Sequence, residues 1–67
     1  MEKDSEFKVA IAATGLTPPD LIIPGKIIRF PGLNKPPKNK DAWCIFFDDG
    51  LGGVFGDHSS GIHGVWQ

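Results

Sequence analysis

Only one cysteine, Cys44, occurs among the 67 residues. A lone thiol cannot close an intramolecular disulfide, so no cystine framework holds this chain, and a reducing cytoplasm suits it. The paired Cys or His spacings that structural zinc sites commonly use are missing too. No run approaches the roughly 20 apolar residues that cross a bilayer, and the acidic opening EKDSE is unlike the basic start of a signal peptide. A soluble, cytoplasmic protein with no membrane partner is expected. Net charge is also scarce, and a total of −1 by itself predicts no polyanion partner. Length sets the last limit: residues 1–67 make one small domain. At about 60 residues only about 60% of the unfolded surface is buried. Each large apolar side chain therefore matters, and five Phe, two Trp and the aliphatic residues supply one compact core.

What is present is organised in short segments. Residues 5–14 read as a helix. Ser5, or Asp4 just before it, can cap the first free N–H groups, Glu6 suits the first turn, and Gly15 suits the left-handed position that closes a helix. Phe7, Ala10, Ile11 and Thr14 recur at helical spacing, so that face packs on a sheet, with small Ala10 and Ala13 permitting close approach. Pro18, Pro19 and Pro24 make 16–24 a stiff connector, from which Leu21, Ile22 and Ile23 drape over one end of the core. KIIRF, residues 26–30, is a strand with Ile28 and Phe30 inward and Arg29 outward. The Pro, Gly, Asn and Lys of 31–41 form a mobile loop with no apolar period to dock it.

Residues 42–48 form a second strand that is apolar on both sides, with Trp43, Ile45 and Phe47 on one face and Cys44 and Phe46 on the other. Such a strand is central in its sheet, or has one face covered by a helix and the other by a ligand or partner. A turn at Asp49-Gly50 leads through a glycine-rich loop to a third strand at 54–56, and a short final strand falls within 62–67. The fold class that follows is α+β: one N-terminal helix packed on a small antiparallel sheet of three to four strands.

Several residues invite a catalytic or metal reading. Cys44, Asp57, His58 and His63 are possible ligands, but without paired spacing no metal site is expected. Asp48 and Asp49 fit turn chemistry better than a Mg²⁺ pair, and Asp57 with Ser59 and Ser60 reads as a side-chain-capped loop. His58 and Ser59 are adjacent, which establishes no nucleophile and base geometry. The glycines of DDGLGG lack the Lys-Ser/Thr and the helix of a phosphate loop. No catalytic residue is assigned.

Nucleic-acid binding remains. Single strands are held by cations along the backbone and by aromatic faces on which bases stack. Lys26, Arg29, Lys35, Lys38 and Lys40 lie within fifteen residues that contain no Asp or Glu, a local basic segment able to attract phosphate on a neutral domain. Trp43, Phe47 and Phe55 are candidate faces beside it. The competing reading makes the lysines a solvated loop and buries the aromatics in the core.

The run GLTPPDLIIPGKIIRFPG, then a Lys/Asn/Pro-rich loop, then AWCIFFDDGLGGVFGDHSSG and a closing VWQ, resembles the small N-terminal domain of phage- and plasmid-type DNA primase-helicases. The resemblance spans residues 7–67. Its most specific parts are GK-x-x-RF at 25–30, Trp43-Cys44, the DG-x-GGVFGD segment at 49–57, and Trp66. It implies that the chain is the N-terminal module or a fragment of a longer protein that continues into a TOPRIM catalytic domain and a helicase-type ATPase. Mg²⁺ and nucleotides would belong to those downstream domains, with no cofactor here. The implied role is to bind or position single-stranded DNA during primer synthesis, without activity of its own. Carried onto matching residues, Lys26 and Arg29 would contact phosphate, Trp43 would stack a base, and Lys35, Lys38 and Lys40 would add salt-dependent attraction. The alternative is a protein-interaction module that docks the primase or helicase domain, or a host replication protein.

Overall fold

The computed structural model describes residues 2–67, with side chains from Ser5 onward. Helix α1 (Glu2–Ala12) is followed by strands β1 (Ile27–Phe30), β2 (Ala42–Phe46), β3 (Gly53–Asp57) and β4 (His63–Trp66). The strands form one antiparallel sheet in the order β1-β2-β3-β4, each paired with its neighbour in sequence. The α+β architecture expected from the sequence is the one observed.

Helix α1 starts earlier than its caps imply. Ser5 lies inside the helix rather than at its N-cap, and the alternative cap at Asp4 concerns a side chain outside those described. Its C-terminal end follows the expected chemistry. The Thr14 N–H bonds Ile11 O at 3.1 Å and the Gly15 N–H bonds Ala12 O at 3.0 Å, tightening the last turn, and Gly15 takes φ +98°.

The helix lays Phe7 and Ile11, both fully buried, on the inner face of the sheet. The Phe7 ring centroid lies 5.4 Å from Phe46, 6.2 Å from Phe55 and 6.0 Å from Trp66. Such aromatic spacing stabilises a core beyond its buried area alone. Room for Phe7 comes from Gly53, where a Cβ would stand 2.7 Å from Phe7 Cε1. Ala10 is half-buried beneath the helix, whereas Ala13 is exposed and plays no part in the approach.

Period-two alternation sends Phe30, Ala42, Cys44, Phe46 and Phe55 into the same core, with Ile28 and Trp66 packed against it. Strand β2 is interior to the sheet, which accounts for its apolar residues on both faces. In the connector only Ile22 and Leu16 reach the core; Leu21 and Ile23 stay exposed. Three successive side chains on an extended chain cannot all point one way, so the expectation that all of 21–23 cover the core fails. At the β2–β3 turn the Gly50 N–H bonds Phe47 O, Asp49 accepts from the Leu51 N–H at 3.0 Å, and Gly50 has φ +71°. This is the Asp-Gly turn chemistry read from the sequence.

Candidate nucleic-acid interface

The face of the sheet turned away from α1 carries two rows of side chains. Register places Arg29 opposite Trp43, Trp43 opposite Gly56, and Gly56 opposite His63. The second row is Ile27, Ile45, Val54 and Val65, with Ile27 and Val65 at its exposed ends. A cation, an aromatic and an imidazole thus cross the sheet in one line, flanked by a line of aliphatics.

Trp43 is half-buried, and the reason is its neighbour. A Cβ on Gly56 would stand 3.0 to 3.1 Å from three adjacent indole atoms, Nε1, Cε2 and Cζ2. Nearly equal distances to neighbouring atoms mean that the ring lies over Gly56 rather than aiming one atom at it. One indole face is therefore seated on the backbone of β3. Beside it the β3–β4 turn borders a cleft of about 260 Å³ lined by Trp43, Gly56, Asp57, His58, Gly61, Ile62 and His63.

The lysine-bearing segment is anchored, contrary to the mobile loop expected. Asp57, buried at the end of β3, accepts from the Leu33 N–H at 2.9 Å across 24 residues of sequence. Ser59 N–H, Ser59 Oγ and Ser60 Oγ complete its shell at 3.0, 2.7 and 2.7 Å. The backbone N–H of Leu33 and the serine donors hold the Asp57 carboxyl well below the usual carboxylate range. Further along, Asn39 Oδ1 accepts from the N–H groups of Gly32 and Asp41 at 3.0 and 2.9 Å, and Asn34 takes φ +59°. The His58 N–H bonds Asp41 O at 3.1 Å, tying the loop's exit to the β3–β4 turn. These polar anchors add to the apolar docking of Leu33, which packs against the core. Lys35, Lys38 and Lys40 are left exposed on a fixed frame.

The six residues named for binding are not all together. Arg29 and Trp43 are cross-strand partners, and Lys40 stands two residues before β2 at the same end of the sheet. Lys26 precedes β1 at the opposite end, where Gly25 lies against the Asp48 carboxylate and donates its N–H to Phe46 O at 2.7 Å. By strand parity Lys26 also belongs with Ile28 and Phe30 rather than with Arg29. Of the candidate aromatic faces, Phe55 is buried in the core and offers none, while Phe47 is part-exposed beside the β2–β3 turn. Two members of the outer row, Gly56 and His63, were not singled out from sequence for this face. Counting registry through β3 and β4 would have found them, given the strand boundaries.

Cys44 is fully buried, and desolvation pushes its thiol up to about 11. Among the described residues, no three or more His, Cys, Asp or Glu side chains form a group that could hold a metal ion. No described helix is long and apolar enough to cross a membrane. No protein-family model matches the chain, and the searches of curated proteins and of solved structures found no match.

Proposed function

We propose that this domain binds and positions single-stranded DNA on its outer sheet face, as a non-catalytic, cytoplasmic N-terminal module of a phage- or plasmid-type primase-helicase. The observation that carries the reading is the Arg29–Trp43–Gly56–His63 row beside an anchored, lysine-bearing loop. An aromatic face between cations is what a single strand needs: the indole stacks a base while Arg29 and the lysines meet phosphates. The exposed lysines project from a hydrogen-bonded frame, so binding orders their side chains but not the backbone that carries them. Downstream catalytic and helicase domains would supply the Mg²⁺ and nucleotide chemistry. Lys26 stands apart from this row and contributes least.

Lys35 lines a separate cleft with Gly15 and Thr17 beyond the end of α1, so three cations, Arg29, Lys38 and Lys40, set the expected salt dependence. For single strands the slope of log K against log salt is about −0.7 per phosphate contact, so about −2.1 here and roughly a 20-fold loss between 50 and 200 mM salt. Tryptophan fluorescence titration with a short oligonucleotide measures it. A flat salt response, or no saturable change, overturns the reading. The aliphatic row Ile27, Ile45, Val54 and Val65 favours a second reading, in which this half of the face docks onto another domain of the parent protein.

A further inference from the structure

The cleft beside Trp43 has a shape and a lining that stacking on an open sheet does not require. Its volume, about 260 Å³, falls under the roughly 300–1,000 Å³ of drug-sized ligand sites. It takes one ring system and leaves anything attached to that ring outside. Gly56 lets the indole sit low, since a Cβ there would stand 3.0 to 3.1 Å from the ring and displace it, while a Cβ on Gly61 would meet open space. Gly61 also has φ +78°, a conformation that turns the chain back toward β4 and is strained for other residues. The remaining walls pair an aliphatic side chain, Ile62, with two exposed imidazoles, His58 and His63. A flat aromatic floor, an aliphatic wall and groups that both donate and accept hydrogen bonds suit a planar heterocycle with a polar edge.

We propose that this cleft is a nucleobase seat: one base of a bound single strand stacks on the free face of Trp43 while His58 and His63 meet its polar edge. The proposal rests on the single-strand reading and adds a defined position to it. A strand whose backbone follows Arg29 and Lys40 places its sugar and phosphate outside the mouth and turns one base inward. The aspartate of the turn does not compete, because its carboxylate is engaged by Leu33, Ser59 and Ser60. Gly32 leaves room for that carboxylate, since a Cβ on Gly32 would stand 2.6 Å from Asp57 Oδ1.

The test compares a five-nucleotide thymidine strand with an abasic strand of the same phosphate number, titrated into the full chain and followed by amide shifts. The base-bearing strand is expected to move the amides of Gly56, Gly61, Ile62 and His63 together with those of the lysine loop. The abasic strand should move the loop alone and bind about 5- to 150-fold more weakly. Gly56→Ala should weaken the base-bearing strand more than the abasic one, narrowing the gap between their affinities. If both strands move the loop and treat the cleft alike, the seat is overturned and strand binding stands. If neither strand moves any amide in a salt-sensitive way, both are overturned. Should Gly56→Ala fail to fold, the abasic comparison still decides.

Discussion

The fit of Phe7 over Gly53 gives the fold a coupling that can be measured. The ring atoms Cε1 and Cζ of Phe7 stand 2.7 and 2.8 Å from the place a Cβ on Gly53 would occupy, and Ile45 O stands at 2.8 Å. Gly53→Ala therefore overpacks the seat, with a cost of about 1–3 kcal/mol. Phe7→Leu removes the same distal ring atoms and should cost about 1–2 kcal/mol, below the roughly 3–5 of a full Phe→Ala truncation. In the double variant the added methyl meets the space that the ring has vacated, leaving only the Ile45 carbonyl contact. The cost of the double variant should then fall short of the sum of the two single costs by at least about 1 kcal/mol. Urea unfolding of the four proteins, followed by far-UV circular dichroism, closes the cycle. Total stability for 67 residues is expected at about 3–10 kcal/mol, so each single cost is a large and readable fraction of it. Additivity within about 0.5 kcal/mol would refute the packing of α1 on β3 described above.

Three further outcomes are expected. The Asp57 carboxyl is held below its usual range in the folded state, so its contribution is present above about pH 4, the unfolded value, and is lost as pH falls further. Thermal midpoints from pH 6 to 2 should decline in that acid window, and Asp57→Asn should start lower and decline less; parallel curves contradict the clamp. Cys44, buried and with a thiol raised to about 11, should resist alkylation at pH 8 until urea unfolds the chain; rapid native labelling would place it elsewhere. Replacing Lys40 with Ala should lower the salt slope of oligonucleotide binding by about 0.7 without altering the folded amide spectrum away from residues 39–41, and an unchanged slope removes that lysine from the interface.

Much of the fold was legible because alternation is a local signal. Ile28 and Phe30 point inward, Arg29 outward, and the Asp49-Gly50 turn lies where its residue types place it. The site was legible only in part. Lys26 and Arg29 look like one cationic strand in sequence, yet three residues of extended chain reverse the face and span most of β1. The loop at 31–41 looks undocked because its anchors are distant in sequence: Asp57 reaches Leu33 from the other side of β2, and the lone Leu33 side chain packs on the core. His63 joins Trp43 only through registry carried across Gly56, a relation among three strands that no single segment contains. Phe55 reads as a possible stacking face until its strand parity, shared with Cys44, places it in the core.

Under the proposed function, the outer face, and not the core, meets a single strand. The two indole N–H groups separate these cases, since Trp43 lies on the outer row and Trp66 packs against Phe7 and Phe46 inside. On titration with a short single-stranded oligonucleotide at 50 mM salt, the Trp43 indole resonance should move and saturate while that of Trp66 holds still. The movement should shrink at 200 mM salt. A stationary Trp43 resonance throughout the titration would contradict the account.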